Sequence, residues 1–418
     1  MVNVAILGTG NRGALVYGQY MFSQPDKFKI TALCDPNFEK LKVVANMFNV
    51  NNDNIFVDDE EFLKEKRGDL IVIASLDQDH VRQAKKAIKL GYHILLEKPI
   101  SANKEEFLDL LECAKNYDKA IMVCHVLRYA TQIEKVKEIL DSGKIGKLVL
   151  IDHIEQVAYW HQAHSFVRGN WRISEETAPM IMAKSCHDMD LLQYFADSRC
   201  HTLSSYGNLC MFKEENQPLG ASDRCLDCKF METCPYSAKR IYIDEYRKDP
   251  TKPRFMIKAL CIGEPSEEKI VNALKTTNYG KCVYKSDNNV VDNQCVMMQF
   301  ENGVKATFRM TAFTQNGGRE IHFHGTLGEI FYNDTQQYIK INVFGQKEET
   351  IYYKDLTNDL SGHGGGDKKM VDKLYNIITN KNTKNDTSLE RSIESHLMCC
   401  AAEESRLQNG KQVFVHKN

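Results

Sequence analysis

Apolar and polar positions alternate along this chain in two distinct textures. Val2–Leu7 is a short apolar run rich in β-branched residues, stopped by glycines, and Ala14 to Phe22 then turns amphipathic with helical period. Phe28 to Cys34 predicts a second strand, ending at Asp35-Pro36, and Phe38 to Phe48 a helix. Asp69 to Ser75 predicts a buried strand, Asp79 to Leu90 a helix and Tyr92 to Glu97 a strand. A helix over Lys104 to Tyr117 and a strand over Ala120 to His125 complete the set. Strands alternating with helices of this length require parallel pairing through right-handed crossovers, hence a doubly wound, Rossmann-type parallel sheet over residues 1–125.

After Arg128 the pattern changes. A helix over Gln132 to Leu140 ends at Ser142-Gly143, and longer strand-like runs follow at Leu148–Val157, Val290–Glu301, Val304–Thr314, Glu320–Gly325, Ile330–Tyr332 and Tyr338–Phe344. They predict an α/β domain over 126–418 with a large open, mainly antiparallel or mixed sheet, and with helices near Cys186–Phe195, Asp367–Thr379 and Ser388–Leu407. Residues 207–289 carry a cysteine cluster and few regular patterns, which marks an insertion with little core of its own.

Composition narrows the function. A chain of 418 residues exceeds one ordinary hydrophobic core, and 43% apolar with 26% charged residues is the balance of a soluble globular protein. A formal net charge of -2 gives no electrostatic case for nucleic acid or an anionic membrane and favours a small-molecule ligand. The chain starts without a basic leader or a membrane-length apolar run, so a cytoplasmic location is expected. In that setting the 14 cysteines read as reduced thiols or metal ligands; Cys34, Cys113 and Cys124 fall in core-like patterns.

The chemistry sits at strand ends. Gly8-Thr9-Gly10-Asn11-Arg12-Gly13 follows a strand and opens a helix, and Asp35 closes the next strand 22 residues after Gly13. In this context Gly8 serves the turn, Gly10 the close approach of backbone to a pyrophosphate, and Gly13 the helix-to-strand contact, with Asp35 accepting from ribose hydroxyls. NAD is favoured over NADP because a carboxylate at Asp35 repels a 2'-phosphate, although Arg12 can offset that repulsion. Ser75 and His80 flank the turn after the third strand, on the nicotinamide side. Glu97-Lys98-Pro99 ends another strand facing the same crevice, where a lysine can hydrogen-bond a substrate hydroxyl as its carbon loses hydride.

Tyr159 to Arg172 holds both tryptophans, Trp160 and Trp171, together with His161, His164, Arg168 and Arg172, a set suited to stacking on sugar C–H faces and fixing hydroxyls. Cys225-x-x-Cys228 with Cys234 is a ligand-like cluster needing a fourth member, first Cys282 and second Cys261. Zinc is the ion such a set favours, with Cys234-Pro235 also similar to iron–sulfur sequences.

Taken together, the glycine loop, Asp35, His80, Glu97-Lys98-Pro99, Arg128 in Val126–Tyr129, Gly143–Gly146 and Gly325–Gly328 resemble the Gfo/Idh/MocA oxidoreductases, named after glucose-fructose oxidoreductase and inositol dehydrogenase. The resemblance implies a NAD(P)-dependent oxidoreductase acting on a sugar, cyclitol or sugar derivative, with Lys98 as active-site lysine and His187 as catalytic histidine. It adds Arg128 to the cofactor residues and leaves Lys184 and Asp190 as substrate or relay candidates. It also implies a homodimer or homotetramer formed through an apolar open face of the second sheet. One departure stands out. The family places an aspartate four residues before that histidine, whereas this chain has Ala183, which leaves room for two rival activities: an NAD-dependent glycoside hydrolase working by transient oxidation and elimination, or a non-catalytic NAD-sensing regulator.

Overall fold

The computed structural model describes residues 1–380 and 382–416 and contains two sheets. The first is built from β1 (Val2–Leu7), β2 (Phe28–Cys34), β3 (Ile55–Phe56), β4 (Leu70–Ile73), β5 (His93–Leu96) and β6 (Ile121–Val123), in the order β3-β2-β1-β4-β5-β6, every pair parallel. The chain order reverses between β1 and β4, which opens a crevice at the carboxyl ends of the strands. Val4, Ile6, Leu33, Val72 and Leu95 face one hydrophobic cluster, while Ala5, Leu7, Ile71, Ile73 and Leu96 face the other. Burial on both faces is why these strands read as unbroken apolar runs.

The second sheet comprises β7 (Leu148–Ala158), β8 (Cys200–Asn208), β9 (Asn293–Phe300), β10 (Lys305–Thr314), β11 (Gly318–Gly325), β12 (Gly328–Asn333), β13 (Tyr338–Val343), β14 (Glu349–Tyr352) and β15 (Val413–Phe414). Its order is β14-β13-β12-β11-β7-β10-β9-β8-β15, antiparallel throughout except for the parallel β7–β10 pair. Alternation along β9 and β10 sends Val296, Met298, Phe308 and Met310 inward, under the helices Cys186–Ala196 and Leu389–Leu407. The other face is mixed, not apolar: Met297 is exposed on the same side as Asp152, Thr307, Arg309 and His322.

Three features depart from the sequence reading. The short strands β3 and β14 and the polar strand β8 lack a strong apolar signal, because two are brief and β8 keeps one half-exposed side. The insertion does own a core, built from Phe212, Tyr242, Ile257, Ile270 and Leu274 against Val167 and Ala163. Finally, the helix Gly366–Thr379 packs Met370, Val371 and Leu374 into the cluster beneath β1 and β2, so the first domain is completed by residues from near the carboxyl end of the chain.

Candidate functional site

The glycine loop joins β1 to a helical run that begins as a π-type turn, Asn11–Gly18, and continues through Phe22. Gly8 has a φ of 91°, and a Cβ there would strike the Ala74 carbonyl. A Cβ at Gly13 would strike the Gly8 carbonyl, so that residue lets the helix sit against the strand end. At Gly10 a Cβ would meet nothing within 4 Å, which leaves open space directly over the loop. This cradle, with Asn11 exposed at the helix start, fits the pyrophosphate of a dinucleotide.

Asp35 closes β2 beneath the loop. Its Oδ2 accepts from the Thr9 amide and hydroxyl, both at 2.9 Å, and lies 2.6 Å from Lys40 Nζ; its Oδ1 accepts from the Asn37 amide at 3.0 Å. Burial alone would raise this carboxyl, and Lys40 with these hydrogen bonds overrides it to hold the pKa low. The carboxylate is therefore ionised and paired with Lys40. Arg12 takes no part there. It turns inward to Glu97 at 2.7 Å and Asp367 at 2.7 Å, and donates to Tyr17.

Glu97 anchors the other wall of the crevice. It accepts from Arg12, from the Tyr17 hydroxyl at 2.6 Å and from the Lys98 amide at 2.9 Å; the Arg12 and Lys98 charges overcome burial and keep it ionised. The Lys98–Pro99 peptide is cis, and two buried histidines clamp the bend around it. His80 Nδ1 lies 2.8 Å from the Pro99 carbonyl, and His396 Nε2 accepts from the Ile100 amide at 2.9 Å. His80 thus supports the lysine turn from below instead of facing solvent at the helix start. Ser75 donates to Gln83 at 2.6 Å.

The second domain supplies the facing wall. Lys98 Nζ donates to the Ala183 carbonyl at 2.9 Å, so a backbone oxygen receives the ammonium at the position where a carboxylate was expected. His187 starts the next helix, buried, with Nδ1 making no hydrogen bond. Burial, and after it the Lys98 ammonium, push its pKa far down and leave the ring neutral. His363 lies 5.7 Å from it, ring to ring, and pairs with Asp367 at 3.1 Å, which joins the Arg12–Glu97 group to the histidine. Asp77, after β4, receives the Trp171 indole N–H at 3.1 Å; burial lifts its carboxyl pKa against the pull of His80 and Lys98. Lys184 meets Glu155 at 2.6 Å, and Glu155 in turn meets Arg319, which also binds Asp188 beside His153.

Asp77, His153, Glu155, His363 and Asp367 were not singled out from sequence. A carboxylate in the turn after β4, and two charged or ionisable residues on the inward face of β7, are the signals that would have found the first three.

Of the expected substrate residues, Trp171 reaches this junction through Asp77, and the half-buried His161 lies among Trp160, Phe166 and Phe255, with burial and then nearby cations, Lys184 and Lys98 among them, lowering its pKa. Lys184 lies here too. The others are placed elsewhere. Trp160 stacks on His161 and under Arg254. His164 is drawn into the insertion core, 2.9 Å from the Tyr242 hydroxyl and stacked on Tyr279, and Arg168 points into the cysteine pocket. Arg172 pairs with Asp287 at 2.9 Å. Arg128 and Asp190 bind each other, buried, through two hydrogen bonds of 2.7 and 2.6 Å, so neither is free for cofactor or substrate.

Among the described residues, one group brings its ligand atoms within 4.8 Å of one another: Asp152, His322 and His324, on the open face of the second sheet. No helix among them is long and apolar enough to cross a membrane.

Sequence models of one family cover nearly the whole of this architecture. Residues 2–125 match its "Oxidoreductase family, NAD-binding Rossmann fold" and residues 137–413 its "Oxidoreductase family, C-terminal alpha/beta domain". The chain belongs to the Gfo/Idh/MocA oxidoreductase family. Within the family it is similar to the putative oxidoreductase YteT of Bacillus subtilis, at 22% identity over 90% of this chain and 89% of that protein. It is also similar to the D-glucoside 3-dehydrogenase of Escherichia coli, at 22% identity over 35% of this chain and 41% of the relative. Among solved Gfo/Idh/MocA-like folds, a levoglucosan dehydrogenase in complex with NADH and levoglucosan superposes with a TM-score of 0.72 at 16% identity, covering 100% of both chains. A putative myo-inositol dehydrogenase from Sinorhizobium meliloti gives 0.66 at 13% identity, again over 100% of both.

The buried histidines of this family member carry a pH prediction. Burial, the largest cause, pushes His125 down to about 4 and His396 to about 3 from 6.5, and His396 uses both nitrogens in one neutral tautomer, donating from Nδ1 to the Ser392 carbonyl. Below pH 6.5 the unfolded chain takes up protons that the folded chain refuses, so stability falls as pH drops from 6.5 towards 4. The slope is about 1.4 kcal/mol per pH unit for each histidine. Urea unfolding across this range checks it, and a flat midpoint would contradict it.

Proposed function

We propose that this protein is an NAD-dependent oxidoreductase that moves hydride between the nicotinamide and a CH–OH carbon of a sugar, cyclitol or sugar derivative. The observation that carries the proposal is the meeting of Lys98, from the end of β5, with the Ala183–His187 segment of the second domain, beneath an open glycine cradle. The relatives agree in chemistry: one is a levoglucosan dehydrogenase holding NADH and levoglucosan, another a D-glucoside 3-dehydrogenase.

Bound NAD would supply the hydride acceptor, held at its pyrophosphate by Gly8–Gly13. Lys98 Nζ has donors to spare beyond the one given to Ala183 and can orient the reacting hydroxyl. His187, kept neutral, can accept that hydroxyl's proton at an imidazole nitrogen, with no carboxylate at position 183 to assist. Trp171 and His161 offer aromatic faces to the ring C–H groups, and Lys184 a further cation beside Glu155. The mixed open sheet face would join two or four copies, which sedimentation of the purified protein tests.

Purified protein given NAD and a panel of sugars, cyclitols and anhydrosugars is expected to produce NADH with at least one of them. Tight NADH binding without turnover of any would overturn the reading, as would release of nitrophenol from aryl glycosides with no NADH accumulating. A companion variant tests the cradle. Gly10→Ala adds a methyl that meets no protein atom, so its melting temperature should hold while NADH affinity falls about tenfold or more; unchanged affinity would remove the pyrophosphate from this loop.

A further inference from the structure

Four thiols meet inside the insertion. Cys225, Cys228, Cys234 and Cys282 line one cavity of about 40 Å³, shared with Arg168 and Tyr236. Local hydrogen bonds set the first three: the Cys228 amide donates to the Cys225 carbonyl at 3.3 Å, and the Cys234 amide to Phe230 at 2.8 Å. Cys282 arrives from the far end of the insertion because Arg224 pairs with Lys281 as an antiparallel bridge and the Cys282 amide donates to Asp223 at 2.8 Å. Cys261 does not line this cavity. No three of these sulfurs lie within 4.8 Å of one another, so ligation requires the side chains to rotate inward.

A second observation is independent of the thiols. Arg168, 1% exposed, projects its guanidinium into the cavity with no carboxylate partner among the described residues. Nε donates to the Lys281 carbonyl at 2.7 Å, and Nη2 to the Tyr236 carbonyl at 2.8 Å and to Cys225 Sγ at 3.3 Å, while Nη1 is buried with no partner at all. A buried cation lacking a counter-charge is costly. Four thiolates around a divalent ion carry a formal charge of minus two and would supply it.

We propose that Cys225, Cys228, Cys234 and Cys282 bind one zinc ion as a tetrathiolate, with Arg168 as the cation that offsets one of its two negative charges. Four S–H bonds are lost and four Zn–S bonds form, with the protons released to solvent. The ion fixes the insertion against the helix Gln162–Arg168 and so sets the approach of His161 and Trp171 to the cleft. The site does not depend on what the enzyme oxidises.

Metal analysis of the full-length protein, made in zinc-supplemented medium, is expected to give about one zinc per chain. Cys228→Ser and Cys282→Ser should lose it, and Cys261→Ser and Cys210→Ser should keep it. Arg168→Met should weaken zinc retention against a chromogenic chelator about 10- to 100-fold. Exchange of cobalt into the unaltered protein, expected to show the intense sulfur-to-cobalt absorption of several thiolates, guards against variants that fail to fold. A metal-free protein whose four thiols react freely, cobalt without that absorption, iron with inorganic sulfide, or loss of zinc from Cys261→Ser but not from Cys282→Ser would each overturn the assignment.

Discussion

Replacing Lys98 with methionine is expected to lower kcat by about 10²- to 10⁴-fold, the range for removing a positioned proton-handling group, while NADH affinity changes by less than about threefold. Lys98 reaches across from the first domain to the Ala183 carbonyl, its amide is bonded to Glu97, and its bend is clamped by His80 and His396. Only Glu97 among these partners touches the glycine loop, through Arg12, and it bonds the Lys98 amide, which the substitution keeps, so cofactor binding and turnover should separate. Methionine keeps most of the side chain's length and apolar stem, which limits any change in packing. Stopped assays with saturating NAD, alongside fluorescence titration of NADH, measure both quantities. A kcat within tenfold of the unaltered enzyme would remove Lys98 from the chemistry.

Asp190→Asn should instead act on folding. It leaves the Arg128 guanidinium buried against a neutral amide, and breaking a buried pair of this kind costs about 3–5 kcal/mol. Urea unfolding should show that loss, and the variant's KM at low temperature should be close to that of the parent. If stability is unchanged and KM rises instead, Asp190 touches substrate and its pairing with Arg128 is incidental. The contrast with Lys98 is one of surroundings: Lys98 keeps unused donors in a cleft, whereas both oxygens of Asp190 are taken.

That distinction marks what sequence could reveal. Motifs tied to one strand end were readable because their meaning is local: Gly8, Gly10 and Gly13 each answer a steric demand of the turn, and Glu97-Lys98 lies where the crevice opens. Strands buried on both faces were equally plain, whereas β8, with a polar half-exposed side, was not. The partner of a charge was not readable at all. Arg12 could have served a phosphate, yet it meets Asp367, 355 positions away. Arg128 finds Asp190 at a separation of 62. Arg168 was grouped with sugar-facing residues by proximity to Trp171, but a π-helical turn over Gln162–Arg168 swings it into the cysteine pocket. Periodicity reports which side of an element is apolar, and cannot report which distant charge waits there.

The helix Gly366–Thr379 gives the linear order of the chain an unexpected meaning. It fills the space under β1 and β2 and hands Asp367 to Arg12, so the nucleotide-holding half is not a detachable cassette ending near residue 125. A chain still emerging from the ribosome would hold the whole parallel sheet and yet lack one wall of it until the far end is made. Excising the first 125 residues should therefore yield a fragment with an uncovered apolar flank at Tyr17 and Phe28 and with Arg12 left to Glu97 and Tyr17, its Asp367 partner gone. Grip on a dinucleotide is therefore expected to weaken in a fragment that lacks this helix, although every strand of the parallel sheet is present.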